Sequence, residues 1–316
     1  MSPNQLALTE EKFYSDCIYP SSDKYTREYK IESRVIDYIA LLKPRVMSLV
    51  VFTGAAGLFL APGHIHPLIE FVAILCIALG SGAAGAINMW YDRDIDIIME
   101  RTRKRPIPLG IIHPDDALHF GILLATFSVL IMAISVNLIS AVLLVIAILF
   151  YVLVYTIYLK RRTVQNIVIG GAAGAIPPMI GWSAVTNSVS LESSILFMII
   201  FCWTPPHFWA LALYKTDDYK KARIPMLPVE RGELVTKKWI VIYTLILAIT
   251  TMLPIMLFAH IIYLTAAILL NIGFVYYAYR TYYDTGYYYA KKTFGFSILY
   301  LFMIFLTMII DVMYYN

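Results

Sequence analysis

The sequence predicts an all-α, polytopic membrane protein, a bundle of nine transmembrane helices. Three observations carry this. Of the 316 residues 60% are apolar, the mean hydropathy is +0.71 and only 15% are charged, against about 25% charged in soluble domains. The apolar runs are roughly twenty residues long, the length of a helical span and twice that of a strand in an outer-membrane barrel. All 25 Lys and Arg fall in alternate loops. Beside that placement, the net charge of +4 says little.

The chain opens with a polar tail, residues 1–35, that has no apolar signal-peptide core. Its acids, among them Asp16 and Asp23, are unlike a transit peptide. A bacterial inner membrane is therefore expected in preference to a mitochondrial one. The spans are placed near 44–62, 68–91, 117–136, 138–158, 166–185, 191–213, 239–259, 261–280 and 294–313. Spans three and four are joined by almost nothing, as are seven and eight, which makes each pair antiparallel neighbours. Seven Lys and Arg lie in the segment ending at Arg45, five follow span two, three follow span four, seven follow span six and three follow span eight. By the positive-inside rule the N-terminus and the even-numbered exits face the cytoplasm, or the matrix of an organelle. The C-terminus, after an odd number of spans, lies on the other side.

Gly80, Gly82 and Gly85 lie in span two. Gly170, Gly171, Gly174, Pro177, Pro178 and Gly181 lie in span five, and Pro205 and Pro206 in span six. Small residues let helices approach closely and prolines kink them, so these read as membrane packing. Cys17, Cys76 and Cys202 form neither a disulfide framework nor a CxxC pair, and the last two read as packed. The tyrosines between Tyr276 and Tyr289 read as an interfacial aromatic belt.

Span two does not end in inert turn residues. It runs into Asn88-Met-Trp-Tyr-Asp92-Arg-Asp-Ile-Asp96. Asn88, Asp92 and Asp96 stand at i, i+4 and i+8 and share one helix face. Carboxylates at that spacing repel, so a cation is expected between them. Mg2+ suits, because it takes oxygen ligands and bridges carboxylates to phosphate. Arg101, Arg103, Lys104 and Arg105 follow as donors for an anionic group. Topology alone explains these bases. It does not explain the acids, which are costly at the mouth of a span. Span six ends the same way, with Asp217 and Asp218 followed by Lys220, Lys221 and Arg223. Exposed Asp-Asp pairs are common in loops, and Asp217-Asp218 alone reads as one; paired with the first site on the same side of the membrane, the two exits suit a diphosphate held by Mg2+. Lys160, Arg161, Arg162 and Asn166, after span four, either add to that anion pocket or serve topology alone. His207, after Pro205-Pro206, reads equally as a packed or a functional residue.

Asn88-x-x-x-Asp92-x-x-x-Asp96 resembles the first aspartate-rich motif of the UbiA superfamily of intramembrane prenyltransferases. The second motif of that family, Asp-x-x-x-Asp, corresponds to Tyr214-Lys-Thr-Asp-Asp218. Tyr214 replaces the first acid, so Asp218 carries the match. Longer strings at 88–106, 159–178, 204–213 and 218–228 resemble the branch of the superfamily that farnesylates haem, and the similarity runs from about Ile36 to the end. The resemblance implies one prenyltransferase domain, residues 36–316, built as a nine-helix bundle around a central cavity that opens toward lipid. It implies catalysis at Asn88, Asp92, Asp96 and Asp218, with Mg2+ bridging them to the head group. Arg101, Arg105, Lys160, Arg161 and Lys221 would steady the phosphates, and His207 would bind or orient haem. The implied substrates are farnesyl diphosphate and haem B, and the product is haem O. Haem A synthase or terminal-oxidase assembly proteins follow as downstream partners, and no nucleic acid is involved.

Three other readings stand beside this one. Prenyl transfer to an aromatic ring of a quinone precursor would keep the fold and change the acceptor. A secondary transporter would use the acids to bind a coupling ion, although transporters place such sites near the midplane. A non-catalytic oxidase assembly factor would tolerate loss of Asp92 and Asp96.

Overall fold

The computed structural model describes residues 33–315, and among them every regular element is a helix. The polar tail lies outside the described residues up to position 32, as does Cys17. A short helix α1 (Val35–Leu41) precedes the first span. It is followed by α2 (Pro44–Leu60), α3 (Pro67–Tyr91) and a six-residue α4 (Arg93–Ile98). Then come α5 (Pro114–Ser135) and α6 (Leu138–Leu149), the latter running on as a π-helix over Phe150–Leu159. The fifth span is two pieces, α7 (Asn166–Ala175) and α8 (Pro177–Thr186). The sixth is α9 (Leu191–Tyr214), with Pro205 and Pro206 inside it, followed by short helices α10 (Thr216–Lys221) and α11 (Leu227–Glu230). The last three spans are α12 (Glu233–Thr250, extended by a 3-10 turn at Leu253–Met256), α13 (Ile261–Tyr283) and α14 (Tyr288–Tyr315).

Eight of these spans are long and apolar enough to cross a membrane, and α2, at 17 residues, is a shorter ninth. The count agrees with the sequence; the boundaries moved where prolines and lysines sit. Pro67, Pro114 and Pro177 open their helices, because their missing N–H falls where a helix has no acceptor to offer. α12 starts six residues before the expected 239, after Gly232 at φ +80°. It carries Lys237 in its second turn, where the ammonium donates to the Asp284 carbonyl at 2.6 Å. An apolar stretch begins only after those lysines, although the helix does not.

The most buried spans are α9 and the α7–α8 pair, which form the centre of the bundle. Their apolar faces build two large clusters, one around Trp182, Ile199, Tyr263, Tyr300 and Phe305, the other around Ile77, Met132, Leu144 and Ile180. Cys76 and Cys202 are buried free thiols within these clusters. The α2–α8 crossing needs glycine: a Cβ on Gly181 would stand 1.9 Å from the Gly54 carbonyl oxygen, and one on Gly57 would stand 2.0 Å from that of Pro178. At the end of the bundle remote from the acidic motifs, buried Asp311 of α14 accepts from the backbone N–H groups of His260, Ile262 and Tyr263 at 2.6, 3.0 and 3.1 Å. It thereby caps α13 from a neighbouring helix. At the opposite end Tyr276, Tyr279, Tyr283 and Tyr288 are exposed, as an interfacial belt requires.

The glycine crossing is testable. Gly181→Ala puts a methyl into backbone and should destabilise the bundle by about 1–3 kcal/mol, read as a lower melting temperature in detergent. A wild-type melting temperature would show that α2 and α8 can separate at no cost.

Candidate active site

The acidic face survives the end of α3. Asp92 joins α3 to α4, and the Asp92 and Asp96 N–H groups still donate to the carbonyls of Asn88 (2.9 Å) and Asp92 (2.8 Å). The helical register is therefore kept across the join, and the three side chains point the same way. Asn88, Asp92 and Asp96 are all buried, Asp92 completely. Carboxylates taken out of water must be paired or hydrogen-bonded. Lys160 donates to one oxygen of Asp92, and Arg161 stands 3.5 Å from the other. Arg105 donates to Asp96 at 2.6 Å. Asn88 accepts from Lys43 Nζ at 2.6 Å and donates to Asp92 at 2.8 Å and to Thr156 Oγ1 at 3.0 Å. An aspartate at 88 could make neither donation and would add a third charge.

Local backbone choices deliver these partners. Lys43 sits at φ +53°, in the left-handed region and directly before Pro44. A non-glycine residue pays a steric cost there, and the sharp turn between α1 and α2 aims its side chain at Asn88. The π-helix has hydrogen bonds spanning five residues, seen where the Lys160 N–H donates to the Tyr155 carbonyl at 2.9 Å. Its wider turns rotate Thr156 and Lys160 onto the acidic face. Arg161, next in line, makes two parallel 2.7 Å bonds to Asp94 and lies 4.8 Å over the Tyr91 ring. Burial disfavours both charges, but the pairing outweighs it: Asp94 is held below the usual carboxylate range and Arg161 above its own. Burial, together with the positive charges of Arg105 and Lys160, pushes the Lys43 ammonium down to about 7. Cations are crowded here, which is the condition for binding an anion.

The second acidic stretch meets the first through apolar contact. Ile95 and Met99, around α4, pack with Tyr219, Ala222, Ile224 and Met226, around α10, over Ile167 and Ala212. Asn166 bridges the loops by donating to the Lys160 carbonyl at 3.3 Å and the Pro225 carbonyl at 3.4 Å. Asp218 is half-buried, 3.8 Å from Lys215, whose ammonium also lies 3.9 Å from Glu100. Asp217 is exposed. Among the bases singled out in the sequence, Arg105, Lys160 and Arg161 converge on the acidic face. Arg101 and Lys221 are exposed and, among the described residues, make no ion pair with it. Three members of the cluster were not singled out: Lys43, Asp94 and Thr156. No spacing in the sequence signals them: Lys43 arrives through a turn, Thr156 through the π-helix and Asp94 through its pairing with Arg161.

Among the described residues six buried side-chain N or O atoms lack a hydrogen-bond partner, and four of them belong here: Asp92 Oδ1, Asp218 Oδ2, Asn166 Oδ1 and Arg161 Nε. The three orphaned oxygens are hard donors that fit Mg2+. Among the described residues no group of three or more His, Cys, Asp or Glu is placed to hold a metal ion by itself.

His207 lies apart from the acidic cluster. It is buried between Trp203 and Phe294, with ring centroids at 4.2 and 4.7 Å. Ser297 Oγ gives its one proton to the Phe294 carbonyl at 2.6 Å, so it accepts from His207 Nδ1 at 2.6 Å. That assigns the Nδ1–H tautomer and leaves Nε2 as the free lone pair. On the same helix Phe197, Phe201 and Phe208 form one half-exposed stripe, with the first two stacked at 5.7 Å. Phe208 packs against the cluster beneath the acidic loops. The stripe thus leads from the charged mouth into the membrane.

The family model of the UbiA prenyltransferase family matches residues 50–298. A protoheme IX farnesyltransferase of Rickettsia bellii is 56% identical over 277 residues, covering 87% of this chain and 92% of its own. One from Rickettsia prowazekii is 55% identical, covering 87% and 89%. Among solved structures, a digeranylgeranylglyceryl phosphate synthase superposes with a TM-score of 0.74 at 18% identity, covering 89% of this chain and 99% of its own. A UbiA homolog from Archaeoglobus fulgidus bound to GPP and Mg2+ gives 0.63 at 17%, covering 86% and 99%. Both structures share the fold.

The Asp92–Lys160 pair predicts a non-additive result. Lys160→Met strands a buried carboxylate and should lower stability by about 3 kcal/mol, measured by thermal unfolding without Mg2+. Adding Asp92→Asn should recover most of it. Equal losses in the single and double variants would mean that the pair is not coupled.

Proposed function

The chain belongs to the UbiA prenyltransferase family and is a prenyltransferase of the membrane, and we propose that it transfers the farnesyl group of farnesyl diphosphate to a vinyl group of haem B, with addition of water, to form the hydroxyethylfarnesyl side chain of haem O. The observation that carries the reaction type is the buried Asn88/Asp92/Asp96 face, ringed by Lys43, Arg105, Lys160 and Arg161, with the Asp218 helix packed against the first acidic stretch through Tyr219 and Ile95, at the top of an aromatic stripe. The acceptor is supported by the Rickettsia farnesyltransferases, which match nearly the whole of this chain and of their own.

The head group docks at the acidic mouth, and the chain lies along Phe208, Phe201 and Phe197. Asn88, Asp92, Asp96 and Asp218 are the residues that would hold Mg2+, which when bound neutralises charge on the leaving diphosphate. Arg105, Lys160 and Arg161 supply positive charge to the same oxygens, Lys43 adds to it when protonated, and Arg101 and Lys221 steady them from the rim. The bond between farnesyl C1 and oxygen breaks, and its electron pair leaves with diphosphate. The vinyl π pair forms the new carbon–carbon bond, leaving a cation on the carbon beside the porphyrin. Water adds there and loses a proton. The apolar bundle keeps other water from the allylic cation. His207, with Nε2 free, binds the haem or places that water.

By the positive-inside rule this mouth and the N-terminus face the cytoplasm of a bacterial inner membrane. Residues 36–316 act as one domain, and the product passes to haem A synthase or to terminal-oxidase assembly proteins.

Purified protein given haem B, farnesyl diphosphate and Mg2+ should make haem O, resolved by mass. EDTA should abolish the product and Asp92→Ala should lower turnover roughly a hundredfold or more. Prenylation of a quinone precursor instead, or no diphosphate release with any acceptor, would sink the proposal. His207→Ala should reduce haem farnesylation while leaving binding of an uncleavable farnesyl analogue intact; unchanged turnover would remove His207 from the mechanism.

A further inference from the structure

We infer that Gly174 sets the length of prenyl chain that the cavity accepts. This rests on the prenyltransferase reading of the mouth above it. The residue is exposed although it lies in one of the two most buried spans, and nothing stands within 4 Å of a Cβ built on it. Its neighbours Gly170 and Gly171 are the reverse: Cβ atoms there would meet Tyr155 at 2.3 Å and Thr204 at 2.8 Å. On a helix Gly174 points between those two directions, roughly 40° from Gly170 and 60° from Gly171. It therefore faces the gap between the π-helix and α9. Ile169, which is 42% exposed and faces lipid, lies about 140° away around the same helix. The exposure of Gly174 is thus internal.

Depth follows from the same geometry. Ile167 shares this inner face and packs beneath the acidic loops with Ile95 and Tyr219. Gly174 is seven residues further along, roughly 10 Å deeper at 1.5 Å per residue. Consecutive spans run antiparallel, and Gly171 meets Thr204, so Gly174 stands level with Phe201. The half-exposed Phe201 and the bare backbone at Gly174 are then opposite walls of one passage. A chain anchored by its diphosphate at the mouth must pass between them. A side chain at 174 would close the passage to the distal isoprene units and leave the head-group site untouched. The close contacts at Gly170 and Gly171 explain those glycines as packing; they do not explain Gly174.

The test uses the full-length protein in lipid nanodiscs, with geranyl, farnesyl and geranylgeranyl thiolodiphosphates as uncleavable probes. Gly174→Leu should weaken the farnesyl probe relative to the geranyl probe by roughly tenfold or more, and the geranylgeranyl probe further still. Gly174→Ala should shift the ratio in the same direction by less. Melting temperatures should not fall, since the added atoms enter open space and alanine and leucine favour the helix over glycine. Wild-type probe ratios in both variants would overturn the inference. So would equal weakening of all three probes, or unfolding of the leucine variant together with no shift in the alanine one. The binding readout needs no haem. Chain selection that shifts in a protein that never farnesylates haem would refute the acceptor and leave Gly174 in its role.

Discussion

Asp92 is a carboxylate with no exposed surface at the end of a membrane helix, and the surrounding structure is arranged to give it partners. Removing such a group from water costs several kcal/mol unless it is matched at close range. The match comes from two segments: Asn88 on its own helix, and Lys160 and Arg161 at the end of the π-helix. Two departures from ideal geometry support it. The π-helix widens its turns, and Lys43 adopts a left-handed backbone to hold Asn88 in place. Departures of this kind persist only where the surrounding contacts over-determine them.

The positive side of the cluster is in excess. Lys43, Arg105, Lys160 and Arg161 crowd the acidic face, and burial together with the charges of Arg105 and Lys160 depresses the Lys43 ammonium. Three oxygens there lack a hydrogen bond. Unsatisfied acceptors beside crowded cations suit the proposed metal diphosphate, which would bring a cation to the oxygens and an anion to the bases.

The apolar structure fixes where that chemistry happens. The two acidic exits are held together by Ile95, Met99, Tyr219, Ile224 and Met226. Below them the central helices are packed by glycine against backbone at Gly57 and Gly181, and left open at Gly174. The same residue type therefore closes the bundle in one place and hollows it in another. His207 is fixed by two aromatic rings and a serine in the bundle interior, apart from the charged mouth, which suits a group that acts on the acceptor rather than on the diphosphate.

The sequence by itself determined the class of fold, the number of spans and the acidic exits, because those depend on composition and on periodicities of 3.6 residues along a continuous chain. Asn88, Asp92 and Asp96 were legible for that reason: a helical register carries from one to the next without knowledge of any neighbour. Lys43, Asp94 and Thr156 were not legible. Lys43 depends on a left-handed turn, Thr156 on a change from α to π hydrogen bonding, and Asp94 on where Arg161 ends up. Gly174 could not be told from Gly181 by sequence, since both are glycines in one apolar span. Only the tertiary structure decided that one meets a carbonyl oxygen and the other meets open space, because packing across helices depends on crossing positions that no local pattern encodes.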